Sequence, residues 1–157
     1  MSPLLSGAAA RGWGRALAVA GIVVAVDQAT KAAVTSSLAP GEHVSLVLGF
    51  EISHVTNKGI AFGLFGGGGS LVLVVTIAAL VLVLAWFASD PARPRLWLAV
   101  GLLAGGALGN LADRVRDDAV TDFINPPLWP AFNVADIAIT AGAVTLVLIG
   151  LAAAESR

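Results

Sequence analysis

Phe132-Asn133-Val134-Ala135-Asp136-Ile137-Ala138-Ile139-Thr140 opens an apolar stretch that runs on to about Ala154. That length and composition suit a helix crossing a bilayer, which needs about 20 predominantly apolar residues. Yet its first turns carry Asn133 and Asp136. A carboxylate at a bilayer centre costs about 2.5–3.5 kcal/mol on insertion scales. A helix that only spans lipid has no use for it. The stretch therefore decides the fold class and also says where to look for chemistry.

The rest of the chain fits a membrane setting. Of 157 residues, 57% are hydrophobic and 12% charged, against about 25% charged in a typical soluble domain. Residues 1–157 read as a single integral membrane domain. A net charge of −1 points to no nucleic-acid partner. The absence of cysteine excludes disulfides, thiolate metal sites and a cysteine nucleophile. His43 and His54 stand at no usual metal-ligand spacing, and neither HExxH nor GxSxG occurs. No metal or cofactor is called for.

Apolar stretches run from about Trp13 to Val34, Leu71 to Ala88, Leu96 to Ala112 and Phe132 to Ala154. The expected fold is an all-α membrane protein of four transmembrane helices. Arg11 and Arg15 before an apolar run mimic a signal peptide, but three further spans follow and no convincing small-residue cleavage site does, so helix one is expected to stay. Arg11, Arg15, Arg93, Arg95 and Arg157 fall on one side of this topology, and Lys58, Arg114 and Arg116 on the other. That bias predicts both termini in the cytoplasm.

With that orientation the polar residues converge. Asp27 and Lys31 in helix one, Asn110, Asp113 and Arg114 in helix three, and Asn133 and Asp136 in helix four all fall towards the outer end. Ordinary interfacial residues at helix ends are the plain alternative. Asp27 and Lys31, four apart, share a face and suit an ion pair, with substrate contact as the other reading. Gly101, Gly105 and Gly109 form a small-residue seam for close packing. Arg114 could neutralise Asp113 locally, in a polar scaffold that orients its neighbours.

Two outer connections are long. Residues 35–70 include β-branched, alternating segments that suggest a small sheet lying on the membrane, closed by the flexible glycines 66–69. Residues 115–131 form a loop holding Asp122 and stiffened by Pro126, Pro127 and Pro130. Such a loop can return Asp122 to the mouth of helix four, beside Asp136. Two carboxylates within about 3 Å cannot both ionise and so share a proton. One then acts as base on water while the other polarises a carbonyl. Spacing alone also allows Asp122 to be a solvated loop acid.

Five motifs occur in order: Asp27-Gln-Ala-Thr-Lys31, His54-Val-Thr-Asn57-Lys-Gly59-Ile-Ala-Phe-Gly63, Gly105-Gly-Ala-Leu-Gly-Asn110-Leu-Ala-Asp-Arg114, Val120-Thr-Asp122-Phe-Ile and Phe132-Asn-Val-Ala-Asp136. Together the chain resembles the lipoprotein signal peptidases, or signal peptidase II. The resemblance implies an intramembrane aspartyl peptidase of the bacterial cytoplasmic membrane. It would cleave diacylglyceryl-modified prolipoproteins just before the lipidated cysteine, with its active site towards the extracytoplasmic face. It implies Asp122 and Asp136 as the catalytic pair. Asn57, Gly59, Asn110, Arg114 and Asn133 would surround them, with Asp27 and Lys31 as the helix-one motif. An extracytoplasmic β-cradle between helices one and two would match the membrane-lying sheet. Ile60 departs from the small residue, usually Ala, common there in the family. Residues 57–69 could close over the site. Membrane lipids are the expected surroundings, and nothing demands more than a monomer. The rival reading is a small proton-coupled transporter using the same acids. It predicts polar groups spread through the membrane depth and inverted repeats; helix two carries no charge and no clear repeat is visible.

Overall fold

The computed structural model describes residues 3–59 and 68–155. The elements in chain order are α1 (Pro3–Ser37), β1 (His43–Ser45), β2 (Glu51–Asn57), α2 (Gly68–Ser89), α3 (Leu96–Asp117), β3 (Val120–Asn125) and α4 (Val134–Glu155). A short 3-10 turn, Val47–Gly49, separates β1 from β2. Each α-helix is long and apolar enough to cross a membrane. They fall on the apolar stretches of the sequence, with later ends than hydropathy alone marks. The polar turns carrying Asp113, Arg114 and Arg116 continue α3 to Asp117. The closing segment expected at residues 57–69, Ile60 included, lies outside the described residues from 60 to 67.

Helix α3 is the axis of the bundle, and its glycines explain why. A Cβ on Gly101 would stand 2.8 Å from the Ala16 carbonyl oxygen, and one on Gly105 would stand 2.7 Å from Val23 Cβ. Both therefore admit the α1 backbone at a distance that no alanine allows. On α4, Gly142 does the same against Leu103, 2.8 Å away. In lipid no hydrophobic driving force pulls helices together, so close packing of small residues must supply the contact. By contrast α2 presents Val74, Val75, Val81 and Leu82 outward. A helix apolar all round suits a lipid environment.

One end of the bundle is fastened by aromatic packing. Phe87 of α2, Leu96 and Val100 of α3 and Ala16 of α1 form a buried cluster. Trp13 meets Phe87 edge-on with ring centroids 4.7 Å apart. The Arg15 guanidinium lies 5.6 Å from the Trp97 ring centroid. The other end carries the sheet and the polar residues.

The strands form one antiparallel sheet in the order β1-β2-β3. Here the structure extends the expectation of a sheet confined to the α1–α2 connection. The third strand comes from the α3–α4 connection, so Asp122 stands on a strand where a loop was expected. It pairs with Val55, while Ile52 pairs with Ile124, and a bulge lies between these two pairs. The chain then turns through the prolines and comes back. Phe132 N–H donates to the Ile124 carbonyl at 3.0 Å, and Ile124 N–H returns a bond to Phe132 at 2.9 Å. This doubling back sets Asn133 beside Asp122.

Candidate active site

Helix α4 begins with a reciprocal cap. The Asn133 side-chain oxygen accepts the Asp136 N–H at 3.0 Å, and Asp136 Oδ2 accepts the Asn133 N–H at 3.1 Å. The first turn of a helix leaves its N–H groups without internal partners, and such a box satisfies them. A third donor, Ala135 N–H, goes to Asp27 Oδ1 at 2.9 Å, so a carboxylate of α1 completes the cap from outside. Asp136 thus has a local structural role that the Asn-x-x-Asp pattern announces and that the spacing argument passed over.

The remaining oxygen of Asp136 faces inward. Its Oδ1 accepts from Asn110 Nδ2 at 2.9 Å. Asn110 is fixed in that sense because its own oxygen receives Lys31 Nζ at 2.9 Å and Asn133 Nδ2 at 3.0 Å. Asn133 Nδ2 also donates to Asp122 Oδ1 at 2.8 Å. The second oxygen of Asp122 accepts from Asn57 Nδ2 at 2.9 Å. Asn57 is oriented in turn by Gly59, whose N–H donates to Asn57 Oδ1 at 2.9 Å. Gly59 holds φ at 72°, a backbone region glycine adopts without strain.

Asp122 and Asp136 are therefore brought into one cluster whose immediate donors are the amides of Asn57, Asn110 and Asn133 and one backbone N–H. Among the described residues no cation stands within ion-pair distance of either. Burial pushes the Asp122 carboxyl up from the usual 3.8 to about 6. The bonds from Asn57 and Asn133 oppose that rise, and the neighbouring Asp136 adds to it. A buried carboxyl that titrates near neutrality can exchange a proton with a neighbour or with water.

The other acids at this end are neutralised. Lys31 Nζ, 3% exposed, sits 2.9 Å from Asp27 Oδ2 and 2.8 Å from Asp113 Oδ2. The predicted Asp27–Lys31 pair is present, and it is one half of a bridge to α3. Asp113 also meets Arg116 at 3.2 Å. Arg114 is not its partner. Arg114 donates to the Asn110 carbonyl at 3.3 Å, and its strongest electrostatic attraction is to Asp136, then Asp122. Gln28, which the sequence reading did not single out, ties the group together. Its amide nitrogen donates to Asp113 at 2.9 Å and to the Gly109 carbonyl at 3.2 Å. Its place inside the Asp27–Lys31 motif was the only available signal.

A groove of about 470 Å³ reaches Asp136, lined by Trp129, Phe132, Ile137, Thr140 and Ala141. It can hold an extended apolar group against a polar end. A separate polar cavity of about 440 Å³ involves Gln28, His54 and Arg116 but not Asp122 or Asp136.

Known proteins resemble the chain over most of its length. Residues 19–152 match the family described as signal peptidase (SPase) II. A lipoprotein signal peptidase of Pelotomaculum thermopropionicum is 45% identical over 127 residues, covering 80% of this chain and 84% of that protein. One from Syntrophomonas wolfei is 39% identical over 142 residues, covering 90% and 93%. Two solved structures, each described as a bacterial membrane enzyme, superpose with TM-scores of 0.82 and 0.80 at 29% and 30% identity. They cover 92% and 86% of this chain, and 92% and 91% of their own.

Proposed function

The chain belongs to the signal peptidase II family, and on that premise we propose that it is an aspartyl endopeptidase removing signal peptides from diacylglyceryl-modified prolipoproteins. Cleavage falls just before the lipidated cysteine. Asp122 and Asp136 are the catalytic pair. The observation that carries this reading is that one residue holds both acids: Asn133 donates its side-chain N–H to Asp122 at 2.8 Å and its backbone N–H to Asp136 at 3.1 Å.

The chemistry follows from that placement. One carboxylate takes a proton from water, which attacks the scissile carbonyl. The other, protonated, donates a hydrogen bond to the carbonyl oxygen as charge develops there. The proton then passes to the leaving amine and the pair returns to its singly protonated state. Neutral amide donors hold the acids in place without locking either as a permanent ion, as a lysine at 3 Å would. Arg114, near but not paired, offers positive potential for the developing oxyanion.

The groove beside Asp136 lets the substrate's apolar part remain in lipid while the amide reaches the acids. The site lies at the opposite end from Arg11, Arg15, Arg93 and Arg95, so by the positive-inside rule it faces the extracytoplasmic side, with both termini in the cytoplasm. Water reaches that rim without crossing hydrocarbon. The test is processing of a lipidated precursor by Asp122→Asn and Asp136→Asn proteins that still fold. Loss of cleavage in each supports the pair; cleavage retained in both refutes it.

A further inference from the structure

Two turns far apart in the sequence meet at the edge of the sheet. One is Leu46-Val47-Leu48-Gly49-Phe50, between β1 and β2; the other is Pro126-Pro127-Leu128-Trp129-Pro130, between β3 and α4. Pro127 lies 3.7 Å from where a Cβ on Gly49 would stand. Neither stretch carries a charge. Their apices are bare: Leu48 is 88% and Leu128 105% exposed, with Val47 and Trp129 also exposed beside them.

The backbone at both apices is costly as well. Leu48 has φ 60° and Leu128 φ 64°. Leucine seldom adopts that left-handed region, where glycine or asparagine is the ordinary choice. In water, each apex would thus combine an unfavoured backbone with unfavourable apolar exposure. That both features recur at two independent turns, placed side by side, points to an apolar surrounding that rewards leucine there.

The patch also continues onto a spanning helix. Trp129 and Phe132 share their groove with Ile137 and Thr140 of α4. Further along α4, Val144, Val147 and Leu148 are exposed on a helix of transmembrane length. Tryptophan is enriched where protein leaves the hydrocarbon for the headgroups.

We propose that the two apices form a wedge, Val47–Leu48 with Leu128–Trp129, inserted among the lipid chains of the leaflet at the mouth of α4. The occupant of this surface is the bilayer, not a protein partner. The Leu128–Trp129 apex joins β3 to α4, so the wedge sets the depth of Asp122 against the lipid. The consequence for lipidated substrates rests on the peptidase reading above; the insertion itself does not.

The chain has no cysteine, so single labels are placed directly. Leu48→Cys, Leu128→Cys and, as a water-exposed control, Glu42→Cys are coupled to a nitroxide in the full-length protein. They are reconstituted in phosphatidylcholine–phosphatidylglycerol vesicles. Collision with oxygen should exceed collision with a water-soluble nickel chelate at 48 and 128, and the order should reverse at 42. Nickel collision dominating at both apices overturns the wedge, and so does spin–spin broadening between copies, which assigns the surface to a second chain. A second variant separates strain from insertion. Leu48→Asn with Leu128→Asn relieves the left-handed backbone, so melting in detergent micelles should be unchanged or raised. In vesicles the same substitutions should move a label at Val47 from the lipid to the water phase. A label at 47 that stays in lipid contradicts the leucines' part in the wedge. Should labels at 48 and 128 report lipid in a protein that cleaves no lipidated precursor, the wedge stands and the peptidase reading fails.

Discussion

Two pairs of aspartates gather at one end of this bundle, and they are treated in opposite ways. Asp27 and Asp113 are 0% and 1% exposed and both contact Lys31. Asp122 and Asp136 share Asn133 instead, and their other donors are neutral amides. Breaking a buried ion pair leaves an uncompensated charge, so the first pair works as scaffold. The second pair is held by neutral donors, with no cation at ion-pair distance among the described residues. The proposed division between scaffold acids and catalytic acids rests on that difference.

The largest expected effect comes from removing the proposed catalytic pair's acid chemistry. Asp122→Asn or Asp136→Asn keeps the shape and one of the two hydrogen bonds each acid accepts, so the cleavage rate should fall on the order of 10⁴-fold, far beyond what any loss of melting temperature explains. The scaffold pair should answer in reverse. Lys31→Met leaves buried Asp27 without a cation and Asp113 with only the exposed Arg116, and should destabilise the fold by roughly 3–5 kcal/mol, read by thermal unfolding in detergent. If Lys31→Met melts like the parent, the contrast between the pairs collapses.

Next comes the packing that brings the scaffold to the site. A Cβ on Gly109 would stand 2.6 Å from Asp27 Oδ2. Gly109→Ala should cost about 1–3 kcal/mol by overpacking and disturb the Asp27 cap on α4. An alanine tolerated without loss of stability would show that α1 and α3 approach less closely than described.

The smallest effects are in pH dependence, and they sharpen the comparison. The Asn57 bond lowers the Asp122 pKa, opposing burial. Asn57→Ala should therefore move the alkaline limb of kcat/KM to higher pH, with the rate reduced about tenfold, the loss expected for a charge-assisted hydrogen bond of about 1.4 kcal/mol. A limb that stays put removes Asp122 from the titration. For stability the sign is set by the raised pKa. Asp122, at about 6 in the folded chain against an ordinary 3.8, binds its proton more tightly when folded. That contribution is complete below about 3.8 and is lost as pH rises through 6. The melting temperature of Asp122→Asn should gain on the parent between those values.

Much of this was legible in the sequence because it is local. Helix α4 and its acid, the Asp27–Lys31 spacing and the Gly101–Gly105–Gly109 seam are all set by residues a few positions apart. What escaped depends on distant partners or on helical angle. Val120 to Asn125 has the β-branched character of a strand, but nothing local says that it adds to β2, so it reads as loop. Adjacent helical residues point about 100° apart, which turns Arg114 away from Asp113 and leaves Arg116, one turn on, to meet it. The cap from Asp27 to Ala135 joins residues too far apart for any window. The Asn133–Asp136 box, set by a three-residue spacing, was readable as a helix cap.

The measurement that bears most directly on the paired acids is a double-mutant cycle on the cleavage of a lipidated precursor. It uses Asp122→Asn, Asp136→Asn and the two combined, each checked for an unchanged fold. If the acids act as one unit, either single change abolishes nearly all turnover and the second adds almost nothing. Losses that multiply, or turnover surviving in either single variant, would contradict it.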